Sequence, residues 1–169
     1  MPEGEPRRGT RDASSNGEHG ASRYAPGVSN LVDITDAPLL AIWGEEVSAR
    51  QLAGERISFA LIELDPNAAV PEHRHEQEQL GMVIRGQVTF TIDGETRTLG
   101  PGGTWRILSN RPHSVVTGPD GAEVLDIFGP ARDDWGDRPV IEGRAPRWPL
   151  IEGRARHSPT PDRAAAAGA

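Results

Sequence analysis

The chain has no cysteine. That excludes disulfides and thiolate ligands, so any metal must be held by histidine, carboxylate or amide oxygen. It also has no lysine, and every basic residue is arginine. Basic residues number 18 against 25 acidic ones, for a formal net charge of −7. With no basic stripe, nucleic acid is excluded as the main partner. No apolar run approaches the roughly 18 residues of a membrane-spanning helix. The N-terminus has no apolar core of a secretory signal. The expectation is a cytoplasmic protein with no membrane partner. No heptad or long amphipathic helix is visible either, which leaves β-structure as the main organiser.

The 169 residues include 20 glycines and 15 prolines, so turns should be frequent. The length suits one domain with a real core. Residues 1–27 carry no apolar pattern and read as a disordered tail; 28–137 read as the folded domain. Residues 138–169 read as a disordered or irregular tail. It carries a near-repeat, Ile141–Arg144 and Ile151–Arg154, that reads as a chance or local duplication. His19 and His157 lie in the tails and are given no role.

Between the tails the signal is β. Ile57 to Leu64 is apolar on both faces, as in a buried strand. Leu80–Ile84 and Val88–Ile92 flank Gly86, and Asp93-Gly94 is a hairpin turn leading into Glu95–Leu99. Trp105–Leu108, His113–Thr117 and Glu123–Phe128 complete the set, with Gly118-Pro119-Asp120-Gly121 as a turn between the last two. Leu39 to Leu52 fits either a strand pair with Trp43 packed inward or a strand followed by a turn. Short strands separated by frequent turns indicate a β-sandwich or barrel.

The chemistry-bearing residues are His73, His75, Gln79 and His113. On a strand, His73 and His75 face the same way because side chains alternate, so both can reach one ion. The pair alone also reads as two solvated histidines beside Glu72 and Glu76. Three imidazoles and an amide oxygen would leave two positions open on a six-coordinate ion, as a working site requires. This ligand set suits Ni, Zn, Fe, Mn or Co without choosing among them.

The spacing resembles the two sequence blocks of the cupin superfamily. The first is His73-x-His75, then Gln79, then Gly86; the second runs from Gly102 through Leu108-Ser109-Asn110 to His113. The resemblance covers residues 40–133 and implies an all-β jelly roll, sandwich or barrel, with a mononuclear metal in its mouth. Gln79 stands where cupins usually carry Glu. A neutral amide leaves the metal a stronger Lewis acid and cannot act as a base. Leu108 and Asn110 replace the turn's Pro and Gly, and Asn tolerates the left-handed backbone the turn needs. Thr117 stands where cupins often carry Asn.

Asp126 sits among apolar residues: Val124 and Phe128 share its strand face, and Leu125 and Ile127 share the other. A buried carboxylate is costly unless paired or hydrogen-bonded. Two readings stand: an ion pair with Arg85 or Arg132, or a general acid/base facing the metal. With Phe128 and Arg132, Asp126 resembles the pattern of the small KdgF-type cupins of pectin and alginate breakdown. That resemblance implies conversion of a 4,5-unsaturated monouronate to its open-chain keto form. It implies Asp126 as the proton-transfer residue and Arg132 as clamp for the sugar carboxylate. Arg132 also reads as a surface partner of Asp133 or Asp134. Arg85, at even spacing from Gln79, is a candidate second anchor, and Trp43, Trp105 and Phe128 are candidates to pack on the substrate. A cupin isomerase or cyclase of secondary metabolism, and a non-catalytic sugar- or metal-sensing cupin, are the alternatives. The ligand expected is a small acid or sugar acid, and the resemblance implies a homodimer.

Overall fold

The structure, a computed structural model, describes residues 29–148. The expected N-terminal tail, His19, His157 and the second Ile-Glu-Gly-Arg segment lie outside the described residues. Eight antiparallel strands form the fold: β1 Leu40–Trp43, β2 Val47–Ala53, β3 Ser58–Leu64, β4 Ala69–His73, β5 Glu78–Ile92, β6 Glu95–Leu99, β7 Thr104–Ile107 and β8 His113–Gly129. The strand order is β1-β2-β3-β8-β5-β6, with β4 on β8 and β7 on β5. This is the expected all-β jelly roll. The helical content of the described residues is one short 3₁₀ turn, Ile34–Asp36. Among them, no helix is long and apolar enough to cross a membrane.

Two pairs of expected strands merge. Leu80–Ile84 and Val88–Ile92 lie on one continuous β5, and His113–Thr117 and Glu123–Phe128 on one continuous β8. The reason is mutual pairing. β5 and β8 run side by side from Glu78↔Gly129 to Ile92↔His113, so hydrogen bonding carries each strand past the other's bend. The Gly118–Gly121 stretch is therefore a corner rather than a break. On one side of it β8 pairs with β4, and on the other with β3. Gly86 and Gly121 both take positive φ there, and a Cβ on Gly86 would lie 2.1 Å from the Gly121 carbonyl oxygen. Only glycine permits that approach.

The expected Asp93-Gly94 hairpin forms with both residues at positive φ, the signature of its turn type. Leu39–Leu52 resolves as a strand pair, and Trp43 is 38% exposed rather than packed inward. Alternation places Ala60, Ile62 and Leu64 of β3, Val88 and Phe90 of β5, and Val115, Val124 and Phe128 of β8 in the core. Each large side chain buried there contributes about 1.5–3 kcal/mol.

Residues 138–148 contain no named strand or helix, and backbone hydrogen bonds tie them to the fold. Ala41 N–H donates to Pro139 O at 2.9 Å, and Ile141 N–H donates to Leu39 O at 2.8 Å. Further along, the Arg147 N–H donates to Glu63 Oε1 at 3.1 Å. The segment thus lines edge strand β1 and closes over a buried pair, Arg50 and Glu63. Backbone hydrogen bonds of this kind need no apolar pattern in the sequence.

Candidate metal centre and its cavity

Three segments converge on one point inside the barrel. His73 is the last residue of β4, His113 the first of β8, and the two are register partners. His75 lies beyond the end of β4, so strand alternation does not place it. A turn does: Asn110 N–H donates to His75 O at 2.8 Å. Asn110 itself sits at φ 60, the left-handed conformation expected of it. The segment between the two blocks therefore ties their ligands together. The candidate ligand atoms of His73, His75 and His113 lie within 4.8 Å of one another.

Each imidazole is oriented in the same manner. Nδ1 of His73 lies 2.9 Å from Pro71 O, that of His75 2.9 Å from Gln77 O, and that of His113 2.9 Å from Arg111 O. A carbonyl oxygen only accepts, so each Nδ1 carries the proton and donates it. Each Nε2 is left with a bare lone pair, the arrangement typical of metal-ligating histidine. Burial lowers all three histidine pKa values, that of His113 to about 4, helped by the neighbouring imidazoles and Arg132. The neutral form that binds a metal is therefore favoured.

Gln79 of β5 reaches the same point, with Oε1 3.3 Å from His75 Nε2. Its amide is also hydrogen-bonded to the Asp126 carboxylate. That bond requires the NH2 end, so the oxygen must face the histidines. Two acceptors facing each other at this distance repel unless a cation lies between them. The residues present thus fit a divalent metal on their own geometry. His73, His75 and His113 form a candidate metal site.

Asp126, near the C-terminal end of β8, is 2% exposed and lies on the cavity side. Neither arginine considered in the sequence pairs with it. Its partners are neutral: Trp105 Nε1 donates to Oδ1 at 3.0 Å, and Gln79 supplies the other hydrogen bond. Burial pushes its pKa up to about 7, while the two hydrogen bonds and Arg132 pull the other way. Gly81 makes this possible. A Cβ there would lie 2.1 Å from Asp126 Oδ1 and 2.3 Å from the Trp105 ring.

The cavity has a volume of about 90 Å³ and opens to solvent at its mouth. His73, His75, Gln79, His113, Asp126, Phe128 and Arg132 line it, as do Trp43, Trp135 and Arg138. Phe128 packs edge-on against His75 and Trp135. The Arg132 guanidinium lies 5.2 Å from the Phe128 ring centre and 4.9 Å from that of Trp135. Its Nε and Nη2 bond both Asp134 oxygens, at 2.7 and 2.8 Å. Arg132 therefore lines the cavity and pairs with Asp134.

Two candidates are placed elsewhere. Arg85 is held by Glu123, at 2.6 and 2.8 Å, and does not line this cavity. The irregular register between Val83 and Arg85 breaks the alternation that even spacing assumed. Trp105 is buried behind Asp126, against Phe90 at 4.5 Å, and reaches the site through its indole N–H alone. Trp135 and Arg138 were not singled out from the sequence. A lone tryptophan in the polar run Asp133-Asp134-Trp135-Gly136-Asp137 was a readable signal. Arg138 carried none and fell outside the expected domain. Trp135 also holds a buried indole N–H with no acceptor among the described residues.

Comparison with known proteins agrees with this geometry. Residues 60–128 match the cupin domain family. The pectin degradation protein KdgF of Dickeya dadantii (strain 3937) is 33% identical over 64 residues, which are 37% of this chain and 58% of that protein. The chain thus spans little more than half the length of this curated relative. The structure of KdgF from Halomonas sp. superposes with a TM-score of 0.53 at 25% identity, over 56% of this chain and 88% of that one. The polyketide cyclase RemF from Streptomyces resistomycificus gives a TM-score of 0.55 at 25% identity, over 71% of this chain and 89% of that one. The segment that forms most of the barrel thus matches the cupin domain family, and the chain resembles KdgF in sequence and in fold.

Proposed function

We propose that this cupin domain is a metal-dependent enzyme that opens the ring of a 4,5-unsaturated monouronate to its keto form. The observation that carries the reading is the pairing of two features in one cavity. Three imidazole lone pairs and an amide oxygen converge on a cation position, and a buried carboxylate that forms no ion pair among the described residues stands beside them. The likeness to KdgF, a pectin degradation protein, supports the substrate class.

His73, His75, Gln79 and His113 would hold the metal, one of Ni, Zn, Fe, Mn or Co. Bound there, it would supply a Lewis acid that polarises the sugar's oxygens. The protein's own residues do the rest. Asp126 takes the proton of the anomeric hydroxyl as the bond from the anomeric carbon to the ring oxygen breaks. The freed enol then becomes the ketone when a proton is returned to C4. No atom is lost, and a single carboxylate with pKa near neutrality serves both transfers. Trp105 and Gln79 hold that carboxylate in place. Phe128 and Trp135 give the site an apolar wall, and Arg132 keeps a fixed positive charge on it.

The test is the ultraviolet absorbance of unsaturated galacturonate and mannuronate, followed with metal-loaded and chelated protein. The expected result is decay above the spontaneous rate, lost on chelation and in Asp126→Asn. No acceleration by fully loaded protein would overturn the reading.

A second reading, cyclisation or isomerisation of an aromatic metabolite, is favoured by one observation. Trp43, Phe128 and Trp135 make much of the lining aromatic, and RemF, a polyketide cyclase, matches over a larger share of the chain. Loaded protein that ignores uronates but binds planar aromatic acids would shift the assignment to this class.

A further inference from the structure

The cavity mouth carries two arginines, and they are not equivalent. The Arg132 guanidinium is committed. Its Nε and Nη2 hold both oxygens of Asp134, and its plane lies against Phe128 and Trp135. The Nε–Nη2 edge is therefore already filled by a carboxylate, which leaves Nη1 and the second Nη2 hydrogen for other partners. Freeing that edge would take from Asp134 its two charge-assisted hydrogen bonds and leave it the charge of Arg138.

Arg138 lines the same cavity, and its charge also acts on Asp134. Its side chain makes one hydrogen bond, from Nη1 to Ile42 O at 3.3 Å, and forms no ion pair among the described residues. That bond anchors it next to Trp43, the half-exposed ring at the same mouth, 5.2 Å from His73. Backbone contacts fix its position: Arg138 N–H donates to Trp135 O at 3.1 Å, and the following residue, Pro139, accepts from Ala41 N–H. A guanidinium with one hydrogen bond among the described residues, in a cavity that Trp43 also lines, suits a ring that bears an acid group.

We propose that Arg138 selects the ligand's carboxylate at the mouth of the cavity, while Arg132 stays paired with Asp134. The ligand class is a small cyclic monocarboxylic acid whose ring lies against Trp43. The inference rests on this cavity being the binding site for a small acid, but it does not require turnover.

The experiment is an NMR titration of the protein as purified with D-galacturonate and with its methyl ester. Wild type, Arg138→Gln, Arg138→Lys and Arg132→Gln are compared. Wild type should bind the acid at least about tenfold more tightly than the ester, as one charge-assisted contact implies. Arg138→Gln should bind the two alike, and Arg138→Lys should keep part of the preference. Arg132→Gln should keep the preference for the acid even where it binds both ligands less well. An acid preference that survives in Arg138→Gln, or its absence from wild type, overturns the proposal. Failure of the uronate assay with an Arg138-dependent preference intact would remove the reaction and leave this site standing.

Discussion

Two adjacent strands carry buried carboxylates with opposite fates. Glu63 of β3 and Asp126 of β8 are 1% and 2% exposed. Glu63 points away from the cavity, where Arg50 bonds it at 3.2 Å and Arg147 approaches it from the C-terminal segment. Asp126 points into the cavity and is met by an indole and an amide. The first is a charge neutralised for the sake of the fold. The second is kept without a counter-charge, and burial raises its pKa until it can exchange a proton near neutrality. Burial alone does not mark a functional carboxylate. What marks it is burial with neutral partners, facing an open cavity.

The sharpest way to break this contrast is to neutralise Asp126. Asp126→Asn should lower kcat about 10²–10⁴-fold, as loss of a general acid/base does, while leaving thermal stability unchanged or raised. A large loss of stability would put Asp126 with the structural carboxylates instead. The reciprocal change is Arg50→Ala, which leaves Glu63 buried with the Arg147 backbone N–H and the more distant Arg147 guanidinium. It should cost about 3 kcal/mol in urea unfolding. A cost below about 1 kcal/mol would mean that the pair contributes little to the fold.

The metal site should couple to stability as well. Zinc at about 100 times its dissociation constant should stabilise the protein by about 2.7 kcal/mol, seen as a higher melting temperature that chelator reverses. A mutant lacking His113 that showed the same rise would locate the metal elsewhere. Gly81→Ala tests how Asp126 is placed, since the new methyl would overlap both its oxygen and Trp105. A destabilisation of about 1–3 kcal/mol is expected, along with reduced turnover. At the small end, Arg111 and Asp93 form a pair that is more than half exposed on both sides. Arg111→Ala should move stability by no more than about 0.5 kcal/mol, in contrast to Arg50→Ala.

Much of the site was legible in the sequence because it depends on local spacing. Two histidines next to a strand, the Asn110 turn and the glycine at the β5 corner each leave a short-range mark. Asp126 stood out because a charge among apolar neighbours on a strand is anomalous wherever the strand lies. Arg85 misled because even spacing holds only in a regular strand, and the register irregularity next to it leaves no mark in the sequence. Trp105 was read as a substrate contact because its residue type was visible but its depth was not.

The sequence by itself determined the all-β class, the hairpin at Asp93-Gly94, the exclusion of thiolate ligands and the residues able to meet a metal. These follow from composition and from periodicities a few residues long. Only the tertiary structure decided which way each charge points and what it meets. It turned Glu63 outward onto Arg50, and Asp126 inward onto Trp105 and Gln79. It also drew Arg138 to the cavity mouth from outside the expected domain. Those outcomes depend on pairings between residues up to 96 positions apart, as between Arg138 and Ile42. Such partners are chosen by how the sheet closes, and no short stretch of sequence encodes them.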